Sequence, residues 1–171
     1  MAWVAFLRGV NVGGHRRFRP SLLARELEGF DVVNIGAAGT LVARGAGSRA
    51  RFKAELRRRL PFEAEVAICT SREIVDLVRR DPFAAVPLEA ALTRFVTILV
   101  RGAPALPTPF ALPETGPWLV RVLGCEGRFV FGVYRRHMKT IACLGQLDRR
   151  LGARGTTRSW NTVRAVARAL C

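Results

Sequence analysis

The distribution of apolar residues over positions 1–80 predicts a regular succession of strands and helices. The run WVAFL at 3–7 is almost continuously apolar, which is typical of a strand that is buried on both faces. After it, Pro20 suits the start of a helix and Gly29 suits its end. The predicted elements are a strand at 3–7, a helix at 20–29, strands at 31–36 and 40–43, a helix at 48–60 and a strand at 64–69.

This element order, β-α-β-β-α-β, indicates an α+β fold of the ferredoxin-like type. In that arrangement the first and third strands are central, which agrees with the apolar character of residues 3–7. We therefore expect residues 1–80 to form a ferredoxin-like N-terminal subdomain.

The second half of the chain also mixes helices and strands. Thr70 and Glu73 form a capping box at the start of a helix, and Asp81 before Pro82 ends it. A strand at 94–100, a proline-rich loop at 102–117, a hairpin of 117–124 with 128–134 and a helix at 159–170 follow. Cys125 lies in the expected hairpin turn, and Ser159 is the expected N-cap of the last helix. We expect residues 81–171 to form a second, smaller α+β subdomain.

The charge balance points to an anionic partner. The chain of 171 residues has 28 Lys+Arg against 13 Asp+Glu, a formal net charge of +15. Such an excess attracts polyanions, because binding phosphates releases condensed counterions. Nucleic acid or a nucleotide is the expected partner class, and an ordinary solvated basic surface is the alternative. The helix at 48–60 offers a face for phosphates, with the cations Arg49, Arg51, Lys53, Arg57, Arg58 and Arg59.

Cysteine and histidine usage does not favour a metal centre or a cofactor. The four cysteines are widely spaced and there are only two histidines, so we expect no metal, no cofactor and no disulfide framework. Cys143 near His137 is the one local candidate for a catalytic thiol. No apolar stretch reaches the ~20 residues of a membrane span. We expect a soluble, cytoplasmic protein without membrane contact.

The glycine-rich segment LRGVNVGG at 7–14 is the first candidate site. Glycines allow positive φ and let backbone N–H groups converge on an anion, and Arg8 adds positive charge. The expected ligand-binding residues are Arg8, Asn11, Gly13 and Gly14. A structural role, in which the glycines turn the chain and Asn11 caps backbone groups, is the alternative.

The segment GTTRSWNTV at 155–163 is the second candidate site. Its hydroxyl groups precede the last predicted helix, and a helix N-terminus attracts anions. The expected ligand-binding residues are Thr157, Arg158, Trp160 and Asn161, with Trp160 as a stacking platform for a base. A core position for Trp160 is the alternative, and the one that its spacing from Val163 favours.

Three motifs together resemble the bacterial domain-of-unknown-function family 1697. They are LRGVNVGG, DPF at 81–83 and TTRSWNT. The resemblance implies a compact α+β protein of two subdomains, the first of them ferredoxin-like, and brings no established activity or catalytic residues. The chain departs from the family pattern at three places: residues 37–40 replace QSGN, Ser159 replaces an asparagine, and Lys139 alone is left of a Ser-Lys turn.

These observations favour binding of an anionic, phosphate-bearing ligand, either nucleic acid or a nucleotide. The glycine-rich loop and the start of the last helix would share a positively polarised hollow, to which Lys139 also contributes. Two alternatives remain open: an enzyme that acts on a small anionic substrate, and a protein-interaction or assembly module that forms a homodimer.

Overall fold

The computed structural model describes residues 1–171 except 12, 13, 15, 16, 46, 88 and 103–107. The chain divides into two compact units, one of Met1–Arg80 with Asn161–Cys171 and one of Asp81–Trp160. Residues 161–171 thus group with the first unit, whereas the expected second subdomain, residues 81–171, included them.

The first unit contains a four-stranded antiparallel sheet. Its elements are β1 (Trp3–Leu7), α1 (Pro20–Glu26), β2 (Val32–Ile35), β3 (Thr40–Ala43), α2 (Arg49–Arg59), β4 (Val66–Thr70) and α3 (Ser71–Arg80). The strand order is β2-β3-β1-β4, so β1 and β3 are central as the sequence pattern predicts. This is the ferredoxin-like arrangement, and the α+β class is confirmed.

Local sequence explains the boundaries of the helices in this unit. Pro20 is at the first turn of α1, where its missing N–H costs no hydrogen bond. The hydroxyl of Ser48 accepts a hydrogen bond from the N–H of Arg51 and caps α2, whose Phe52 and Leu56 are fully buried. The core lies against the central strands, with Ala5, Leu7, Leu41 and Ile68 among its members.

The second unit contains a five-stranded antiparallel sheet. Its elements are β5 (Leu92–Leu99), β6 (Phe110–Leu112), β7 (Val120–Glu126), β8 (Phe129–Arg135), α4 (Thr140–Gly145), α5 (Leu147–Leu151) and β9 (Gly155–Ser159). The strand order is β6-β7-β8-β5-β9. Phe95, Val120 and Val130 are fully buried on one face of this sheet, in a cluster with Leu147 and Leu151 of α5.

Several details of the second unit differ from the sequence predictions. Strand β6 lies inside the segment 102–117 that was predicted as loop, and α4 and α5 were not predicted. Cys125 belongs to β7 and not to the hairpin turn, because β7 and β8 stay paired as far as Glu126 and Phe129.

The last helix, α6 (Trp160–Leu170), begins one residue later than Ser159. The residues before it form β9, which pairs with β5 from Leu99↔Gly155 to Phe95↔Ser159. The predicted helix at 159–170 with Ser159 as its N-cap therefore agrees with α6 to within one residue, whereas the strand that precedes the helix was not predicted. Among the described residues, no helix combines the length and apolar character needed to cross a bilayer.

Candidate functional site

Asn11 in the glycine-rich segment uses both ends of its side-chain amide inside the protein. Its Nδ2 donates to the carbonyl of Ala37 at 2.7 Å, and its Oδ1 accepts from the N–H of Phe18 at 2.9 Å. The residue has φ 54°, a left-handed conformation that asparagine tolerates better than most residues. Asn11 thus ties the end of its own loop to the turn between β2 and β3.

The other predicted residues of this segment differ in exposure. Arg8 is half-buried, and its backbone N–H donates to the carbonyl of Glu65 at 2.9 Å. Gly14 is exposed with φ 80°, a conformation that a residue with a Cβ adopts only under strain. Gly13 lies outside the described residues.

Arg158 is a buried cation on strand β9. Only 7 % of the residue is exposed, and its Nη1 donates to the Thr156 hydroxyl at 2.7 Å and to the Thr157 carbonyl at 2.9 Å. Burial lowers the pKa of Arg158 to about 10, because removal from water penalises the charged form. The guanidinium therefore still carries its charge at neutral pH.

The neighbours of Arg158 are also engaged in internal contacts. The hydroxyl of Thr157 shares a hydrogen bond of 2.7 Å with that of Thr97 on the adjacent strand. Trp160 is 5 % exposed, and its ring centroid lies 5.1 Å from that of Phe83. The core position that the sequence favoured for Trp160 is the observed one.

Lys139 and Asn161 are exposed. Lys139 lies just before α4, where its backbone N–H donates to Nδ1 of His137 at 3.1 Å. Cys143, the candidate thiol, is buried, whereas His137 is exposed. Within the described part of the chain, no group of three or more His, Cys, Asp or Glu side chains could hold a metal ion.

The predicted site residues are divided between the two units. Arg8, Asn11, Gly14 and Asn161 belong to the first unit, and Lys139, Thr157, Arg158 and Trp160 belong to the second. A hollow shared by the two segments stays a prediction.

Helix α2 contains the six cations that were predicted to form a face for phosphates. Glu55 is the one carboxylate on the helix, and it pairs with Arg58 at 3.0 Å and also with Arg59. The hydrogen bonds from Arg58 and Arg59 lower the pKa of Glu55. Arg49 and Arg57 are exposed and pair with no carboxylate among the described residues.

Sequence reasoning missed a cationic cluster in the second unit. The guanidinium carbons of Arg121 and Arg135 lie 4.1 and 4.2 Å from the ring centroid of Trp118. Both arginines are exposed on strands β7 and β8, and Trp118 is partly buried just before β7. The available signal was an arginine and a tryptophan on the first strand of the predicted hairpin and a second arginine directly after the other strand. The cross-strand register that unites the three was not visible in the sequence.

Comparison with solved structures finds the same fold elsewhere. The chain is similar to the conserved bacterial protein SP0830 from Streptococcus pneumoniae, with a TM-score of 0.60 and 14% sequence identity. The match covers 99% of this chain and 98% of that one. At this identity the likeness concerns the fold alone. A search of the curated proteins finds no match.

Comparison with family models agrees with the motifs. The model of the family "Protein of unknown function (DUF1697)" matches residues 1–112. This range contains two of the three motifs on which the resemblance rested, LRGVNVGG and DPF. The chain belongs to the DUF1697 family.

Proposed function

We propose that the protein binds phosphate-bearing polyanions, and nucleic acid in particular, through the exposed cations of α2. The observation that carries the proposal is the charge of this helix: Arg49, Arg51, Lys53, Arg57, Arg58 and Arg59 against Glu55 alone. Arg58 and Arg59 are already paired with that carboxylate. Arg49 and Arg57 are exposed and form no ion pair among the described residues, so they are available to phosphates, whose binding releases counterions from the nucleic acid.

The spacing of the α2 cations supports contact with a phosphate backbone. Arg49, Lys53 and Arg57 follow one another at intervals of four residues, so they lie along one side of the helix, each about 6 Å from the next. Adjacent phosphates of a nucleic-acid strand have a comparable separation. Arg51 lies over the Phe30 ring at 5.4 Å, which holds its guanidinium close to the protein surface.

The residues predicted from the motifs have unequal parts in this proposal. Arg8, Gly14 and Asn161 of the first unit and Lys139 of the second are exposed or half-buried, and each stays a predicted ligand contact. Asn11 and Arg158 already donate to protein acceptors, so we assign them to the support of their loops and strands. Catalysis of a reaction on a small anion, and homodimer assembly, stay predictions of the sequence alone.

A salt titration tests the proposal. We expect a labelled mixed-sequence oligonucleotide to bind at low salt, with an affinity that falls steeply and log-linearly as salt rises. The double variant Arg49→Gln/Arg57→Gln removes two phosphate contacts. We expect it to lower the affinity about tenfold and to reduce the salt slope by about 2.

The matched control is Arg164→Gln/Arg168→Gln, which removes the same charge from exposed positions of α6. We expect the control to change affinity less than the α2 variant does. If both double variants lose affinity equally, α2 is not the binding face. If the wild-type protein fails to bind at low salt, the function itself is wrong.

A further inference from the structure

Trp118, Arg121 and Arg135 are brought together by the pairing of β7 with β8. Arg121 is paired with Val133, while the N–H of Arg135 donates to the carbonyl of Leu119 at 2.8 Å. Residues 133 and 135 are two apart and lie on the same face of β8. Arg121 and Arg135 are therefore diagonal neighbours on one face, and the Trp118 ring contacts both guanidinium groups.

Neither arginine has an anionic partner among the residues that the structure describes. Within the described part of the chain, no carboxylate forms an ion pair with Arg121 or Arg135, and neither guanidinium donates a side-chain hydrogen bond. Two other arginines of this unit are occupied: Arg128 donates to the carbonyls of Leu99 and Val100, and Arg150 pairs with Glu114 at 2.8 Å. Two like charges are thus held together by one aromatic ring and not by a counter-charge.

The contact with Trp118 leaves the N–H groups of both guanidinium groups without a hydrogen-bond acceptor among the described residues. A guanidinium that lies over an aromatic ring uses its π face, while its N–H groups point outward in its own plane. Two guanidinium groups that share one ring offer N–H donors to the oxygens of a phosphate, which accepts bidentate, charge-assisted hydrogen bonds. A bound dianion or monoanion would also relieve the repulsion between the two cations.

We propose that Trp118, Arg121 and Arg135 form a binding site for one phosphate group. The inference rests on the proposed function, since both assume a phosphate-bearing ligand, but it assigns that group to named residues of the second unit. The phosphate could belong to a nucleic-acid backbone or to a free nucleotide, which share this chemistry.

The experiment uses the full chain and three probes: inorganic phosphate, adenosine monophosphate and a labelled single-stranded oligonucleotide. Binding is followed by tryptophan emission for the small probes and by fluorescence anisotropy for the oligonucleotide. We expect Arg121→Gln and Arg135→Gln each to weaken binding about tenfold, as loss of a charge-assisted hydrogen bond predicts. Trp118→Phe should abolish the emission change on binding.

Two controls separate this site from nonspecific attraction. Arg101→Gln removes one exposed cation of the same unit, away from any aromatic ring among the described residues, and should change affinity less than twofold. Arg135→Lys keeps the charge but loses the planar fork and the stacking, so it should bind nearly as weakly as Arg135→Gln. Thermal unfolding confirms that each variant is folded.

The outcomes distinguish this inference from the proposed function. Wild-type affinity in Arg135→Lys, or an equal loss in Arg101→Gln, overturns the site. Oligonucleotide binding that depends on α2 but not on Arg121 and Arg135 overturns the site and leaves the proposed function standing. Binding of the small probes at Trp118 without binding of any oligonucleotide supports the site and contradicts the polyanion function.

Discussion

Arg158 illustrates how a residue of a recognisable motif can serve the fold. Its guanidinium is buried with two acceptors beside it, on a strand at the edge of a sheet. We expect Arg158→Ala to lower the free energy of unfolding by about 2 kcal/mol, because it removes buried hydrogen bonds and leaves a cavity. Urea unfolding measures this change. Oligonucleotide affinity, measured under conditions where the variant is folded, should stay within twofold of wild type; a large loss of affinity at unchanged stability would instead identify a ligand contact.

Asn11 combines two internal hydrogen bonds with a left-handed backbone, and a pair of variants separates the two contributions. Asn11→Gly keeps the conformation and loses the bonds, whereas Asn11→Ala loses the bonds and adds backbone strain. We expect the alanine variant to be less stable than the glycine variant by about 1 kcal/mol. Equal stability of the two, measured by urea unfolding, would show that the positive φ carries no cost.

Cys125 and Cys171 differ in their surroundings although neither is in a disulfide. Burial raises the pKa of the Cys125 thiol, which reduces the fraction of reactive thiolate at neutral pH. Cys171 is exposed at the C-terminus. We therefore expect an alkylating reagent to modify Cys171 faster than Cys125, and mass spectrometry of the peptides at successive times checks the order. Faster labelling of Cys125 would contradict it.

At the residue scale, the sequence could name candidates but could not distinguish a ligand contact from an internal one. Asn11 and Arg158 are residue types that bind anions or cap backbone groups equally well. The difference lies in the carbonyls of Ala37 and Thr157, whose positions depend on the folded chain. Trp118 was not among the predicted site residues, because Arg121 and Arg135 become its neighbours only through the pairing of β7 with β8.

At the scale of elements, local signals fixed the helix that follows β4. The Thr70 hydroxyl accepts from the N–H of Glu73 at 3.1 Å, while the Glu73 carboxylate accepts from the N–H of Thr70 at 2.7 Å. We expect Thr70→Ala to lower the free energy of unfolding by about 1 kcal/mol. Thr70→Ser should lower it much less, because the serine hydroxyl can still accept the hydrogen bond from the N–H of Glu73. Equal losses in both variants would show that the threonine methyl group, and not the cap, is what matters.

The conformation of strand β9 could not be predicted from local sequence signals. Threonine and serine both favour the N-cap of a helix, but threonine also favours an extended strand. The segment GTTRS therefore fits either structure when it is considered alone. Pairing with β5, which is distant in sequence, decides between them. The β-α-β-β-α-β order of the first unit was predictable because its strands are short apolar runs and its first helix has a start signal in Pro20 and an end signal in Gly29. By contrast, β6, α4 and α5 are short elements stabilised by contacts within their sheet and core cluster.

At the scale of the whole molecule, the net charge of +15 opposes the folded state. Folding brings like charges closer together, and the exposed ion pairs, such as Arg44–Asp31 at 3.0 Å, contribute little in return. Salt at physiological strength shortens the screening length from about 30 Å to about 8 Å and weakens this repulsion.

We expect the midpoint of thermal unfolding to rise by about 3 °C when sodium chloride is raised from about 0.01 M to about 0.15 M. The variant Arg49→Gln/Arg57→Gln, which carries two fewer charges on α2, should have a higher midpoint at low salt and a smaller response to added salt. A midpoint that falls as salt is added would mean that attraction within the ion pairs outweighs the repulsion between the cations.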